Sequence, residues 1–274
     1  GYFNTGSSNT FLGASTGVYA TSADYSTFIG WRAGQGITGA RLTGDKNTAV
    51  GKDAGLLLQG AAIENTLIGS RAGESLTTGN YNVGIGYLAG GFSVDLETGS
   101  YNTILGGYCH TSATDSVQQI VMGHSVTGNG DNTLCFGNAG TDSAIAFGAT
   151  SITAPSDQRY KEDIADATAG LAFIKDLRPV TFKWKKKKDV PSDHRAYVEG
   201  SEERVMLSQG ETNHGFIAQE VKTAIDNHPE IKNGFDMWSA DPNDGRQRLG
   251  PSALVPMLVK AIQELEARIA VLEG

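Results

Sequence analysis

Asn65-Thr66-Leu67-Ile68-Gly69-Ser70-Arg71-Ala72-Gly73 restates, with changes, an earlier stretch of the same chain, Asn47-Thr48-Ala49-Val50-Gly51-Lys52-Asp53-Ala54-Gly55. The shared pattern is Asn-Thr, two apolar or small residues, a glycine, two variable residues and a closing Ala-Gly. Looser copies begin at Asn9, Ser26, Asn82, Asn102 and Asn132, so the repeat occupies residues 9–148. The glycine that closes each apolar pair falls at Gly13, Gly30, Gly51, Gly69, Gly86, Gly106 and Gly123. The steps are 17 to 21 residues, and the spacing then tightens through Gly137 and Gly148. A period of this length is the mark of stacked coils, and it predicts a β-roll or β-helix with one repeat per coil.

Each repeat offers a turn at asparagine, a very short strand at the threonine and apolar pair, and a glycine where the backbone bends or meets a neighbour. Adjacent positions are both apolar in Phe11-Leu12, Phe28-Ile29, Leu67-Ile68 and Ile104-Leu105. Successive side chains of a strand point to opposite faces, so both faces need cover. A thin coil has one interior, and cover for the second face points to other chains. The repeats resemble the head repeats of trimeric bacterial adhesins, a resemblance that implies a left-handed parallel β-roll in a three-chain bundle. Residues 56–62 and 94–99 read as inserted loops and as candidate contacts for a host receptor or glycan.

Composition divides the chain in two. Of 36 glycines, 28 precede Ser156, whereas 17 of the 22 lysines and arginines follow Pro155. The expected domains are a glycine-rich β-stalk over 1–155 and a mixed α/β domain over 156–274. The net charge of -8 splits into -5 and -3, so neither part has the basic excess that nucleic acid requires. The basic run 185–188 reads as a solvated loop or strand end. No stretch is apolar enough to cross a bilayer, and no membrane insertion is expected. Cys109 and Cys135 make neither a metal pattern nor a disulfide framework and read as small buried thiols.

No cofactor or metal is expected. Gly84-Ile85-Gly86-Tyr87-Leu88-Ala89 matches a dinucleotide fingerprint, but its glycines belong to the repeat and no amphipathic helix follows. Asp53, Glu64, Glu74, Asp95 and Glu97 lack the pairing that a glycan-cleaving site needs and read as solvated. The sequence begins at Gly1 rather than methionine, which places a natural N-terminus, with any signal or anchoring segment, outside it.

Ser156-Asp157-Gln158-Arg159-Tyr160-Lys161 stands where the two compositions meet. A serine hydroxyl is a poor nucleophile near neutral pH, and a lysine can be its base only when burial or a neighbouring cation favours the neutral amine. A serine and a lysine at a domain boundary suggest self-cleavage. Downstream lie Gly170-Leu171-Ala172-Phe173-Ile174-Lys175-Asp176-Leu177-Arg178-Pro179-Val180-Thr181-Phe182-Lys183-Trp184, then His214-Gly215-Phe216-Ile217-Ala218-Gln219-Glu220-Val221, then Lys260-Ala261-Ile262-Gln263-Glu264-Leu265. In this order the motifs resemble the intramolecular chaperone family found at the C-terminus of phage endosialidases, tail fibres and neck appendages. That family is classed as a self-cleaving Ser-Lys peptidase (peptidase S74).

The resemblance implies a domain that gathers three chains, completes folding of the segment before it, and then cuts between Pro155 and Ser156. By position Ser156 is the nucleophile and Lys161 its base, in a single turnover on its own chain. Asp157 and Arg159 match the motif without a chemical step, and His214 is a supporting candidate more often structural than catalytic. Tyr160 stands where the family has leucine, at a position read as packing.

Val255, Leu258, Ile262, Leu265, Ile269 and Leu272 alternate steps of three and four, the seam of a coiled coil over 253–273. Branched residues at one seam position and leucine at the other lean toward two strands, whereas the family implies a trimer. The leading reading is a virion tail-fibre or appendage fragment, a homotrimeric stalk fused to a self-releasing chaperone absent from the mature particle. The alternatives are a trimeric bacterial surface adhesin whose last domain does not cut, and a glycan-degrading tailspike.

Overall fold

The computed structural model describes residues 4–206 and 212–274, and the chain divides into two compact units, Gly1–Lys161 and Glu162–Gly274. In the first unit, strands β1 (Thr10–Leu12), β2 (Thr27–Ile29), β3 (Thr48–Val50), β4 (Thr66–Ile68), β5 (Val83–Ile85), β6 (Thr103–Leu105), β7 (Ile120–His124) and β8 (Thr133–Asn138) stack in chain order, each parallel to the next. Strand β9 (Ser143–Ala146) folds back antiparallel on β8 and ends the stack. This is a parallel β-solenoid with one coil per repeat.

Register follows the repeat rung by rung. Phe28, Ala49, Leu67, Ile104, Val121 and Cys135 form one inward column. The alanines of the closing Ala-Gly pairs, Ala33, Ala54, Ala72 and Ala89, are buried with it. Residues 56–62 and 94–99 hold no strand or helix, as expected of loops, but Leu58, Ala62 and Leu96 point into the same core. Each stretch is thus anchored to the coil interior by its buried leucine, while Asp95, Glu97 and Thr98 of the second remain exposed. Cys109 and Cys135 are buried free thiols, and burial pushes the Cys109 thiol pKa up.

The asparagines do more than turn the chain. Asn47, Asn65, Asn82 and Asn102 are buried and stacked. The side-chain oxygen of each accepts from the backbone N–H of its successor at 3.0–3.1 Å, ending with the N–H of Gln119 on Asn102. Within the asparagines the successor's side-chain amide donates to the same oxygen, at 3.0–3.1 Å. That amide also donates to a carbonyl across the coil, that of Gly79, Gly99 or Ser116 for Asn65, Asn82 and Asn102. A buried amide this fully used is costly to remove. Asn82→Ala is expected to strip acceptors from Asn102 and donors from Asn65 and Gly99, lowering stability by about 2–3 kcal/mol per chain. A melting temperature equal to that of the parent would refute the ladder's contribution.

Beside the ladder runs a column of glycines, Gly13, Gly30, Gly51, Gly69, Gly86, Gly106, Gly123 and Gly137, with φ between 126° and 146°. The opposite face of the sheet carries a second column from the third strand position: Leu12, Ile29, Val50, Ile68, Ile85, Leu105, Met122 and Phe136. Leu12 is 65% exposed and Ile85 40% exposed, and the column forms a continuous apolar ridge along the single chain.

The second unit holds α1 (Leu171–Asp176), β10 (Val180–Phe182) antiparallel to β11 (Asn213–Gly215), α2 (Ala218–Asp226), the antiparallel pair β12 (Trp238–Ala240) and β13 (Gln247–Leu249), and α3 (Leu254–Glu273). Phe173, Val221, Ile225, Met237 and Leu254 make its core. Helix α1 is seated on α3, with the Leu171 N–H donating to Glu264 Oε2 at 2.9 Å. Gly170 lies so near α3 that a Cβ there would be 2.6 Å from Glu264 Oε1. Helix α3 turns Leu254, Met257 and Ala261 inward. Its expected seam, Val255, Leu258, Ile262, Leu265, Ile269 and Leu272, is exposed in the single chain. Among the described residues no helix is long and apolar enough to cross a membrane.

His228 packs edge-on against Phe173, with Nε2 2.9 Å from Asp176 Oδ2 and Nδ1 3.0 Å from Glu230 Oε1. Hydrogen bonding to Asp176, with Glu230 adding to it, raises the imidazole pKa above its ordinary value. The charged form is therefore favoured by folding, and its stabilisation is complete below about pH 6.5 and lost as pH rises through the raised pKa. The urea midpoint followed by tryptophan fluorescence, with Trp184 and Trp238 both in this unit, should fall over that window. His228→Gln should flatten the fall, and an unchanged slope would count against the contact.

Candidate functional site

The chain leaves the solenoid through one last pairing, in which Thr153 and Ala144 exchange backbone hydrogen bonds of 2.7 and 2.8 Å. Residues 154 and 155 follow, and then a single 3-10 turn, Gln158–Tyr160. Asp157 caps that turn, its side chain accepting from the Arg159 N–H at 2.9 Å. The Tyr160 N–H closes on Asp157 O at 3.1 Å and the Lys161 N–H on Gln158 O at 3.0 Å. The turn brings Lys161 back over Ser156, and Lys161 Nζ donates to Ser156 Oγ at 2.7 Å.

Arg159 lies on the carboxylate of Asp157, with Nη2 2.6 Å from Oδ2 and Nε 3.1 Å from each oxygen. The Arg159 guanidinium, helped by the Arg159 backbone N–H, holds the Asp157 carboxyl below the usual carboxylate range. Ser156 and Lys161 are both exposed to solvent in the single chain. A lysine that is to take a serine proton does so as the neutral amine, the form that burial or a neighbouring cation favours and open water does not.

Of the five residues expected at the site, Ser156 and Lys161 come together, and Asp157 and Arg159 pair with each other. His214 belongs to the second unit, exposed on β11 opposite Thr181. Tyr160, read as a packing position, is 80% exposed in the single chain.

Other candidates resolve into structure. Gly84 and Ile85 lie in a strand of the parallel sheet, followed by a turn and not a helix. Asp53, expected to be solvated, is instead buried and held by Arg32 Nε at 2.7 Å, because the coil folds its side chain under the arginine of the previous coil. Glu64 pairs with Lys46 at 2.9 Å and Glu74 with Arg71. In the basic run, Lys186 and Lys188 both meet Glu202, whose carboxyl they hold down to about 2, and Lys187 meets Glu203. No group of side chains able to hold a metal ion occurs among the described residues.

A feature that sequence spacing did not signal is a cavity of about 740 Å³ within the second unit, lined by Phe182, Trp184 and Phe216 with Lys183, Lys185 and His194. It arises because the β10–β11 pairing lays two distant motifs side by side.

Residues 156–228 match the family described as the chaperone of endosialidase, a match that begins at Ser156 itself. No curated protein and no solved structure matches the chain.

Proposed function

We propose, from the chaperone-of-endosialidase match over residues 156–228, that this chain is a fibre or appendage segment whose last 119 residues assemble its stalk and then release themselves. Residues 1–155 are the stalk, three copies of which cover one another's apolar ridges. Residues 156–274 are the chaperone, joined in the trimer by the exposed seam of α3. The assembled stalk belongs on a virion, with a host receptor or glycan as its outside partner.

The observation that carries the cleavage reading is the 2.7 Å contact of Lys161 Nζ with Ser156 Oγ. Ser156 Oγ attacks the carbonyl carbon of Pro155 while Lys161 takes its proton. The tetrahedral centre collapses by breaking the Pro155–Ser156 carbon–nitrogen bond, and the proton passes to the departing nitrogen. An ester then joins Pro155 to Ser156 Oγ. Water hydrolyses it to a Pro155 carboxylate and a free Ser156 with its hydroxyl restored. In the single chain both Ser156 and Lys161 are exposed, and a Ser-Lys pair works best where water is excluded, so in our reading the cut follows assembly, when neighbouring chains cover the pair.

Such a helper has a physical reason. Many near-identical short strands in three chains can pair out of step, and non-local β pairing is slow and open to aggregation. Holding three ends together raises the effective concentration of correct partners. The test is the denatured intact mass of freshly expressed, assembled chain. Two fragments parted before Ser156 are expected, and a chain that stays whole would leave a permanent trimerisation domain in its place.

A further inference from the structure

Lys161 follows Ser156 by five positions, and in an extended chain their Cα atoms would lie about 16 Å apart, beyond the reach of a lysine side chain. The hydrogen bond between them therefore depends on the one-turn 3-10 helix from Gln158 to Tyr160. An isolated turn in an exposed segment has little to hold it, since one turn fixes several dihedrals for very few hydrogen bonds. Here the holding comes from Asp157, whose Oδ1 takes the Arg159 N–H at 2.9 Å, and from the guanidinium of Arg159, which grips the same carboxylate.

A second consequence is electrostatic. Asp157 is next in sequence to Ser156, and the lysine that must serve Ser156 is a cation that any free carboxylate nearby would attract. Arg159 occupies both oxygens of Asp157. With Asp157 so engaged, Lys161 is left to Ser156.

We infer that Asp157 and Arg159 are positioning residues of the self-cleavage. Asp157 shapes the turn that returns Lys161 to Ser156, and Arg159 keeps the Asp157 carboxylate from capturing that lysine. The inference rests on Ser156 and Lys161 being the dyad, and it gives the ion pair a task that touches neither the scissile bond nor the proton in transit.

The two duties of Asp157 are separable. Asparagine retains an oxygen that can cap the turn but carries no charge, whereas alanine has neither. Arg159→Ala alone should slow the first-order appearance of the new Ser156 amino terminus roughly tenfold, because it leaves the carboxylate free. Adding Asp157→Asn to Arg159→Ala should bring the rate back to within about threefold of the parent. Adding Asp157→Ala should not, because the cap is lost as well. Trimer content and melting temperature should be alike in all of these chains, since both side chains are at the surface.

A purely structural ion pair would show no rescue by asparagine, and equal rates for the two double variants would overturn the inference. A rate indifferent to Arg159→Ala in a parent that cuts would overturn the positioning alone. A parent that never cuts would overturn the dyad, and the positioning with it.

Discussion

Ser156→Ala is expected to leave every chain at full length, with no fragment beginning at residue 156 after days of incubation. The expectation is severe because the hydroxyl is the attacking group itself. Removing the nucleophile or base of such a pair lowers a rate by on the order of 10⁴-fold or more. Lys161→Ala should be equally inert, and Lys161→Arg separates two explanations of why. Arginine keeps a cation and hydrogen-bond donors opposite Ser156 Oγ but does not give up its proton in proteins. A Lys161→Arg chain that stays whole therefore assigns lysine the base, whereas one that cuts at the parent rate reduces it to a hydrogen-bond donor. Denatured intact mass reads all three variants. The uncut chains should still trimerise, and their stalks, still attached to the helper that folded them, should lose structure faster in hot detergent than cleaved stalks. Equal rates of loss would separate cleavage from kinetic stability and leave release as its only purpose.

Gly106→Ala should be the most damaging single exchange in the solenoid. The Gly106 N–H reaches back to Ile85 O at 2.8 Å, and its φ of 129° is one that L side chains rarely adopt. A Cβ built there would lie 1.7 Å from Gly123 O in the following coil. The obstacle is backbone, so no side chain can rotate out of the way, and the two coils must part. We expect a loss of at least about 4 kcal/mol per chain and mostly insoluble product. Gly39→Ala is the control, because nothing lies within 4 Å of a Cβ at that position and its φ is ordinary. It should melt within about 1 °C of the parent. If Gly106→Ala folded as well as Gly39→Ala, the close stacking of the glycine column would be wrong.

The coil-per-repeat fold was legible because its columns recur in the sequence. A glycine that returns every 17 to 21 residues after an apolar pair has few architectures open to it. The apolar pair also foretold an inward and an outward column, since strand side chains alternate. The role of the asparagines was less legible. An asparagine before a short strand reads as a turn, and only stacked coils reveal that its amide faces the same amide one coil away. The corners were silent as well. Tyr25, Lys46, Glu64, Tyr81 and Tyr101 all take φ between 54° and 63°, where sequence reasoning looks for glycine or asparagine. That the loops 56–62 and 94–99 send Leu58 and Leu96 into the core was not legible, because leucines spaced for a coil interior have no period of their own within so short a stretch. At the site, the nearness of Ser156 and Lys161 was legible from the motif, whereas the grip of Arg159 on Asp157 needed the turn that folds one over the other.

The coils are unequal in length. From one column glycine to the next the chain runs 17, 21, 18, 17, 20, 17 and 14 residues. The ladder asparagines and column glycines are chemically alike at nearly every rung, so the bonds that hold the stack carry no address. A second copy laid along the outer ridge one coil out of step would still find an apolar side chain at each contact, leucine, isoleucine or valine from Leu12 to Leu105. The long coils, from Gly30 to Gly51 and, with Leu96 inside it, from Gly86 to Gly106, would then stand against short ones. In a bundle of copies of the kind proposed, the uneven spacing would work like the cuts of a key: each rung is anonymous, but the sequence of lengths is not, and only copies in step would match along their whole run. In such a bundle, what looks like decay of an ideal repeat would be the information that sets one copy's register against the next.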